Sequence, residues 1–178
     1  MKGLAKNIWV WLYDFSELSL EEQNLLRLAS HVRQNARAPE THVWVGAAVA
    51  SESGRVYSGC NIERRSLSET SHAEMTAINA MVAAEGEVKL ETATLVIGPE
   101  HEHMVMPPEK VARPTEDIEE ITEVPCGKCL YIIWEHSRNE KTKIITLLAN
   151  GEVAVATIGA LLPLRFRKDV LAQKFSNE

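Results

Sequence analysis

Apolar positions in the first third of the chain recur at helical spacing: Leu25, Leu26, Leu28, Ala29 and Val32. Ser19 with Glu22 makes a capping-box start and Pro39 bars continuation, so the pattern predicts a helix over 19–37. From His42 to Ala50 the residues turn β-favouring. A turn at 51–54 and a second run, Arg55 to Gly59, complete a predicted hairpin. Residues 60–70 read as a loop. A second helix is expected from Ser71 to Glu85, closed by Gly86, and a short apolar strand from Thr92 to Ile97. The stretch 98–124 is rich in Pro and Glu and has no periodicity. A third helix is expected from Pro125 to about His136, since proline is tolerated in a first helical turn. Lys143 to Ala149 and Glu152 to Ala156 read as strands joined by Asn150-Gly151. So short a link forces those strands antiparallel, because a parallel pair needs a long crossover. From Thr157 the chain reads as helical in pieces, broken at Pro163. The order predicts an α/β domain in which helices cover a mixed sheet.

Composition narrows the classes. A chain of 178 residues can bury one full core, so a single domain over 1–178 is expected, with residues 1–18 as an N-terminal extension. No apolar run approaches the roughly 20 residues of a membrane helix. The patch Ile8 to Leu12 is short and Asp14 interrupts it, so it reads as a core or interface segment. The same holds for Trp9, Trp11 and Tyr13. Three cysteines without a secretory signal argue against a disulfide framework and for a reducing cytoplasm. The net charge of −6 is concentrated: residues 100–124 carry eight acids and two bases. The rest is balanced and shows no basic face, which argues against a nucleic-acid polymer as partner.

Chemistry concentrates in Ser71-His72-Ala73-Glu74 and in Pro125-Cys126-Gly127-Lys128-Cys129. His72, Cys126 and Cys129 are three good zinc donors, and three donors leave a tetrahedral position open, as a catalytic zinc requires. Glu74 would stand beside that position to move protons. Cys126 and Cys129 share one face of a helix start, where the helix dipole favours thiolates. A C-x-x-C pair alone also fits a redox couple or half a structural zinc knuckle, but no second pair exists. Ser71 and Glu74 also fit a capping box, which would leave His72 without a task. Zinc, two thiolates and a neutral imidazole sum to zero charge. An H-x-E segment followed by P-C-x-x-C is the signature of zinc deaminases.

The chain resembles the cytidine deaminase family, in the branch acting on free nucleosides. The likeness spans about residues 20–170 and rests on Val45-Gly46-Ala47-Ala48, Gly54-Arg55-Val56-Tyr57, Gly59-Cys60-Asn61-Ile62-Glu63, the two zinc segments and Leu161-Leu162-Pro163. The resemblance implies a three-layer α-β-α fold with a five-stranded mixed sheet, one zinc ion per subunit, and a homo-oligomer, tetrameric or dimeric. It implies that Glu74 takes a proton from the attacking water, passes it to the ring nitrogen and later protonates the leaving amine. It further implies that Asn61 and Glu63 bond the sugar, that Ala73 belongs to the substrate pocket, and that Phe166 offers an aromatic face to the base. A plain polar-loop role for Asn61 and Glu63, and a plain core role for Phe166, fit those residues too.

Several positions depart from the family pattern. Val43 and Trp44 stand where the family shows an aromatic and a proline. Arg64 and Arg65 replace Asn and a small residue, and fit either a phosphate or an ion pair with the acidic insertion. His72 with Met75 replaces a cysteine and a charge-compensating arginine, a consistent pair of changes. The insertion 98–124 is longer than the family's link and would rim the pocket. His101 and His103 there read as exposed rather than as a second metal site, and Cys60 as a small buried residue. The expected activity is zinc-dependent deamination of cytidine, deoxycytidine or a related aminopyrimidine nucleoside. The alternatives are a specialised deaminase of a modified nucleoside, nucleoside antibiotic or nucleotide, and a non-catalytic zinc-stabilised binding protein.

Overall fold

A computed structural model describes residues 3, 5–100, 106, 108 and 113–165. Six strands form one sheet: β1 (Trp11–Tyr13), β2 (Val43–Ser51), β3 (Val56–Cys60), β4 (Leu90–Pro99), β5 (Lys143–Leu147) and β6 (Val153–Thr157), in the order β1-β6-β5-β4-β2-β3. Four helices accompany them: α1 (Leu20–Arg33), α2 (Ala73–Glu85), α3 (Gly127–His136) and α4 (Ile158–Leu161). Of these strands only β4 and β5 run parallel, and α3 lies on their crossover. The remaining pairs are antiparallel.

Two apolar clusters put the helices in separate layers. On one face Leu25, Leu26 and Ala29 of α1 pack with Ala48, Val96, Ile145 and Val153. On the other, Ala73, Ala77, Ile78 and Met81 of α2 join Ile133 of α3 and Ile158 of α4 over Ala47, Val49, Leu95 and Ile144. Neighbours in a strand thus serve opposite layers, as the period of two requires. Both helix layers lie unusually close to the hairpin. A Cβ at Gly46 would collide with the Ala29 carbonyl oxygen, and one at Gly59 would meet the Ala77 nitrogen at 2.5 Å.

Three expectations are corrected. The sheet has six strands, not five, because Trp11–Tyr13 pairs with Val153–Val155 and extends the sheet edge. Trp9 and Trp11 stay exposed there, at 63% and 47%, so neither is a core residue. The first helix ends at Arg33 rather than Arg37, because the Arg37 backbone is taken by a bridge to Ile62. The last hairpin is a longer link than Asn150-Gly151: Leu148 still pairs with Glu152, and Gly151 turns the chain at φ 94°. The Asn150 side chain fixes that turn by accepting from the Glu152 N–H at 3.0 Å. The antiparallel outcome stands. Phe166, His101 and His103 lie outside the described residues.

Among the described residues no helix is long and apolar enough to cross a membrane. Ile8 and Val10 of the N-terminal segment, with Ile121 and Val124, close a cavity of about 220 Å³ against Ile144 and Ala156 of the sheet.

Candidate active site

Two helix N-termini meet at one point. The N-cap residue of α2 is His72 itself, and that of α3 is Cys126. Neither side chain caps its own helix, so both point their donor atoms elsewhere. Glu74 is the second residue of α2 and Cys129 the third of α3. Both helix starts fall two residues later than Ser71 and Pro125, at Ala73 and Gly127, and this shift hands the N-cap positions to the donors. It also dissolves the capping-box reading, because Ser71 lies outside the helix and Glu74 is turned inward, at 5% exposure.

The donor atoms of His72, Cys126 and Cys129 all lie within 4.8 Å of one another, the one such group of metal-binding side chains among the described residues. Cys126 Sγ stands 3.6 Å from His72 Nδ1. A tetrahedral zinc with Zn–S and Zn–N bonds of about 2.3 and 2.05 Å sets sulfur and nitrogen roughly 3.5 Å apart, so this pair already stands at the spacing the ion requires. Cys126 is exposed, His72 half-buried and Cys129 fully buried, so the group opens on one side only.

The electrostatics also ask for a cation. Burial, then the charges of Glu74 and Cys126, push the Cys129 thiol far above its ordinary range. Burial likewise raises the Glu74 carboxyl, and its own backbone N–H, the Cys129 thiol and His72 only partly offset this. A divalent ion bound by the thiolates would offset the burial and the repulsion that together keep Cys129 protonated.

Asn61 and Glu63 flank Ile62, which bridges to Ser71 next to His72, and both are buried. Asn61 prolongs the β2–β3 ladder with its side chain: Oδ1 accepts from the Val45 N–H at 2.8 Å and Nδ2 donates to the Val43 carbonyl at 2.9 Å. The Glu63 carboxylate accepts from the Glu40 N–H at 2.9 Å, the Thr41 N–H at 3.3 Å and the Thr41 hydroxyl at 2.5 Å. Burial is the largest single influence on Glu63 and opposes its charge. The bonds from the Thr41 hydroxyl and the Glu40 and Thr41 N–H groups together outweigh it and hold the carboxyl below its usual range. Ala73 has no exposed surface.

Arg37 is a supporting residue that the sequence did not single out. Its N–H donates to the Asn61 carbonyl at 3.0 Å, its carbonyl accepts from the Glu63 N–H at 2.7 Å, and its Nη1 donates to the Glu63 carbonyl at 2.8 Å. Nothing in the local pattern marks it, because its partners lie 24–26 residues on.

Residues 20–146 match the family model of the cytidine and deoxycytidylate deaminase zinc-binding region. The chain belongs to this family. A cytidine deaminase of Sporosarcina psychrophila is 28% identical over 86% of this chain and 96% of its own length. One from Mycobacterium tuberculosis is 30% identical over 85% of this chain and 94% of its own. The crystal structure of the Mycobacterium leprae cytidine deaminase superposes with a TM-score of 0.60 at 26% identity, covering 82% of this chain and all of that one. The zinc named by the family and the His-Cys-Cys group described above agree in ligand chemistry.

Proposed function

We propose that this protein deaminates an aminopyrimidine nucleoside of the cytidine type hydrolytically, and that His72, Cys126, Cys129 and Glu74 carry the reaction. The observation that carries the reading is the meeting of three soft donors and one buried carboxyl at two helix N-termini. A zinc ion held by the three donors supplies Lewis-acid activation of a water molecule. Glu74 accepts the proton of the attacking water and delivers it to the ring nitrogen. It then takes the second proton, from the hydroxyl now on the ring carbon, and passes it to the amine, which leaves as ammonia while that carbon becomes a carbonyl. One water is consumed and one ammonia released. Burial of Glu74 keeps bulk water from competing for that proton.

Asn61 and Glu63 have a double task in this reading. Each spends most of its hydrogen-bonding capacity on the fold. Asn61 keeps one N–H and one lone pair, and Glu63 one acceptor site, for a sugar hydroxyl. Ala73 walls the pocket from behind. Phe166 would offer its ring to the base. We take the chain as a single domain in which the extension 1–18 and the insertion 98–124 are integral. A cytoplasmic homo-oligomer, tetramer or dimer, is consistent with the exposed Trp9 and Trp11. Light scattering tests the assembly. Ammonia release from cytidine and deoxycytidine tests the activity, and absence of turnover by zinc-loaded protein on both substrates would overturn it.

A further inference from the structure

Cys126 is the exposed member of the donor group, and it stands where the insertion 98–124 runs into α3. On its C-terminal side the helix holds it, because the Leu130 N–H donates to the Cys126 carbonyl at 2.8 Å. On its other side the nearest tie to the sheet is a clasp three residues earlier. The Glu123 carbonyl accepts from the Thr146 hydroxyl of β5 at 2.5 Å. The Glu123 carboxylate accepts from the Ala149 N–H, just past the end of the same strand, at 2.9 Å. Only two residues lie between Glu123 and Cys126. Val124 donates its N–H to the Thr122 carbonyl at 3.0 Å, and Pro125 is buried and has φ fixed by its ring. The position of Glu123 is therefore passed on to Cys126 with little slack.

Thr146 breaks the apolar pattern of its strand. It is 3% exposed and shares a face of β5 with Ile144, where an apolar residue would serve the core. A buried hydroxyl has to be paired. The Leu95 carbonyl is 3.4 Å away, so the short bond to Glu123 is the one that pairs it. Packing does not replace this clasp. Ile121 and Val124 face the cavity of about 220 Å³ instead of a close-packed wall. A void of that kind leaves unmade the contacts that would otherwise fix the segment. The insertion has another tie to this hairpin, from the Thr115 N–H to the Glu152 carboxylate at 2.8 Å, but it lies eleven residues before Cys126.

We propose that Thr146 and Glu123 are positioning residues for the zinc centre: their clasp keeps Cys126 where it completes the donor group with His72 and Cys129. Neither residue touches the metal or the substrate in this account. Without the clasp the chain before Cys126 takes other paths, and zinc affinity falls with the fraction of molecules that keep the competent one. The inference rests on the reading of His72, Cys126 and Cys129 as a zinc site, and zinc affinity tests it without any substrate. The apparent Kd for zinc is measured by competition with a chelating indicator, and Tm is recorded on the same protein. The chains compared are native, Thr146→Val, Thr146→Ser, Glu123→Ala and Thr94→Val. Thr94 is an equally buried threonine on β4, and its hydroxyl donates to the Ala48 carbonyl at 3.0 Å in the α1 layer. The Kd should rise about three- to tenfold in Thr146→Val and in Glu123→Ala, the range of one net hydrogen bond. It should stay near native in Thr146→Ser, which keeps the hydroxyl, and in Thr94→Val, which lowers Tm. Glu123 is partly exposed, so Glu123→Ala reads the clasp even if Thr146→Val fails to fold. Native zinc affinity in either of these two variants overturns the proposal. So does a loss in Thr146→Ser or Thr94→Val as large as that in Thr146→Val. Ammonia release from cytidine and deoxycytidine is read in parallel. Zinc-loaded native protein that turns over neither overturns the deaminase reading alone. Native zinc affinity in the clasp variants of an active enzyme overturns the clasp alone, and a native chain that binds no zinc overturns both.

Discussion

Cys126 Sγ and His72 Nδ1 stand 3.6 Å apart, each on the N-cap residue of its own helix. Fifty-four residues separate them in the chain, and what joins them is the packing of α2 and α3 on one face of the sheet. An N-cap residue has extended backbone and a side chain free to leave the helix axis, which suits a donor that must meet partners from another element. The helix dipoles add positive potential where the thiolates and Glu74 need it.

Cys126→Ser should therefore abolish stoichiometric zinc, and with it turnover, by at least about a hundredfold, since a catalytic zinc site needs all three of its protein ligands. Metal analysis after gel filtration and the ammonia assay check this. Chelation of the native protein should have the same effect on activity, reversed by added zinc but not by magnesium, whose preference is for oxygen ligands.

Gly59 holds α2 against β3. A Cβ there would lie 2.5 Å from the Ala77 nitrogen and 2.8 Å from the Ala73 carbonyl oxygen, both backbone atoms of the helix that His72 precedes as N-cap. Gly59→Ala should cost about 1–3 kcal/mol, as overpacking does, and lower kcat by displacing His72 and Glu74. Gly127 gives the control, because a Cβ added there would meet nothing within 4 Å: Gly127→Ala should not lower Tm.

Glu63 gives a pH signature. Its carboxyl is held below the ordinary range in the fold, so it stabilises the protein above the unfolded value of about 4.3 and loses that contribution as pH falls through the folded value. Glu63→Gln should be less stable than native protein at neutral pH, and the gap should close below about pH 4. Chemical denaturation at several pH values measures it. A gap independent of pH would show that the carboxylate's charge is not what anchors residues 40 and 41.

The N-terminal segment caps an edge. Removing residues 1–14 would strip β1 from β6 and uncover Val153 to Val155 together with the apolar cavity below Ile8 and Val10. An unprotected edge strand invites pairing with other chains. The shortened protein should show a lower Tm and concentration-dependent scattering absent from the full chain.

How much of this was legible depended on the range of the interaction. His72, Glu74, Cys126 and Cys129 were readable because a helix's first turn fixes their spacing within four residues. The two halves of the site then had to meet, since neither alone completes a zinc site. The α1 capping box was equally local, and Ser19 accepts from the Glu22 N–H as expected. Edges set by distant partners were hidden. The strand at Trp11–Tyr13 has no alternation of its own and exists because β6, some 140 residues later, offers it a ladder. The early end of α1 comes from Ile62 capturing Arg37. The structural duties of Asn61 and Glu63 depend on the placing of residues 40–45, which no spacing announces.

The central claim is that one buried carboxyl moves the protons while three other side chains hold the zinc. Glu74→Gln tests it most directly, with zinc content, Tm and cytidine-type deamination measured on the same preparation. The account predicts zinc at one per chain, a Tm near or above that of native protein, and a loss of kcat of at least about a hundredfold, within the range that proton transfer contributes. A variant that keeps its zinc and more than about a tenth of native kcat would contradict it.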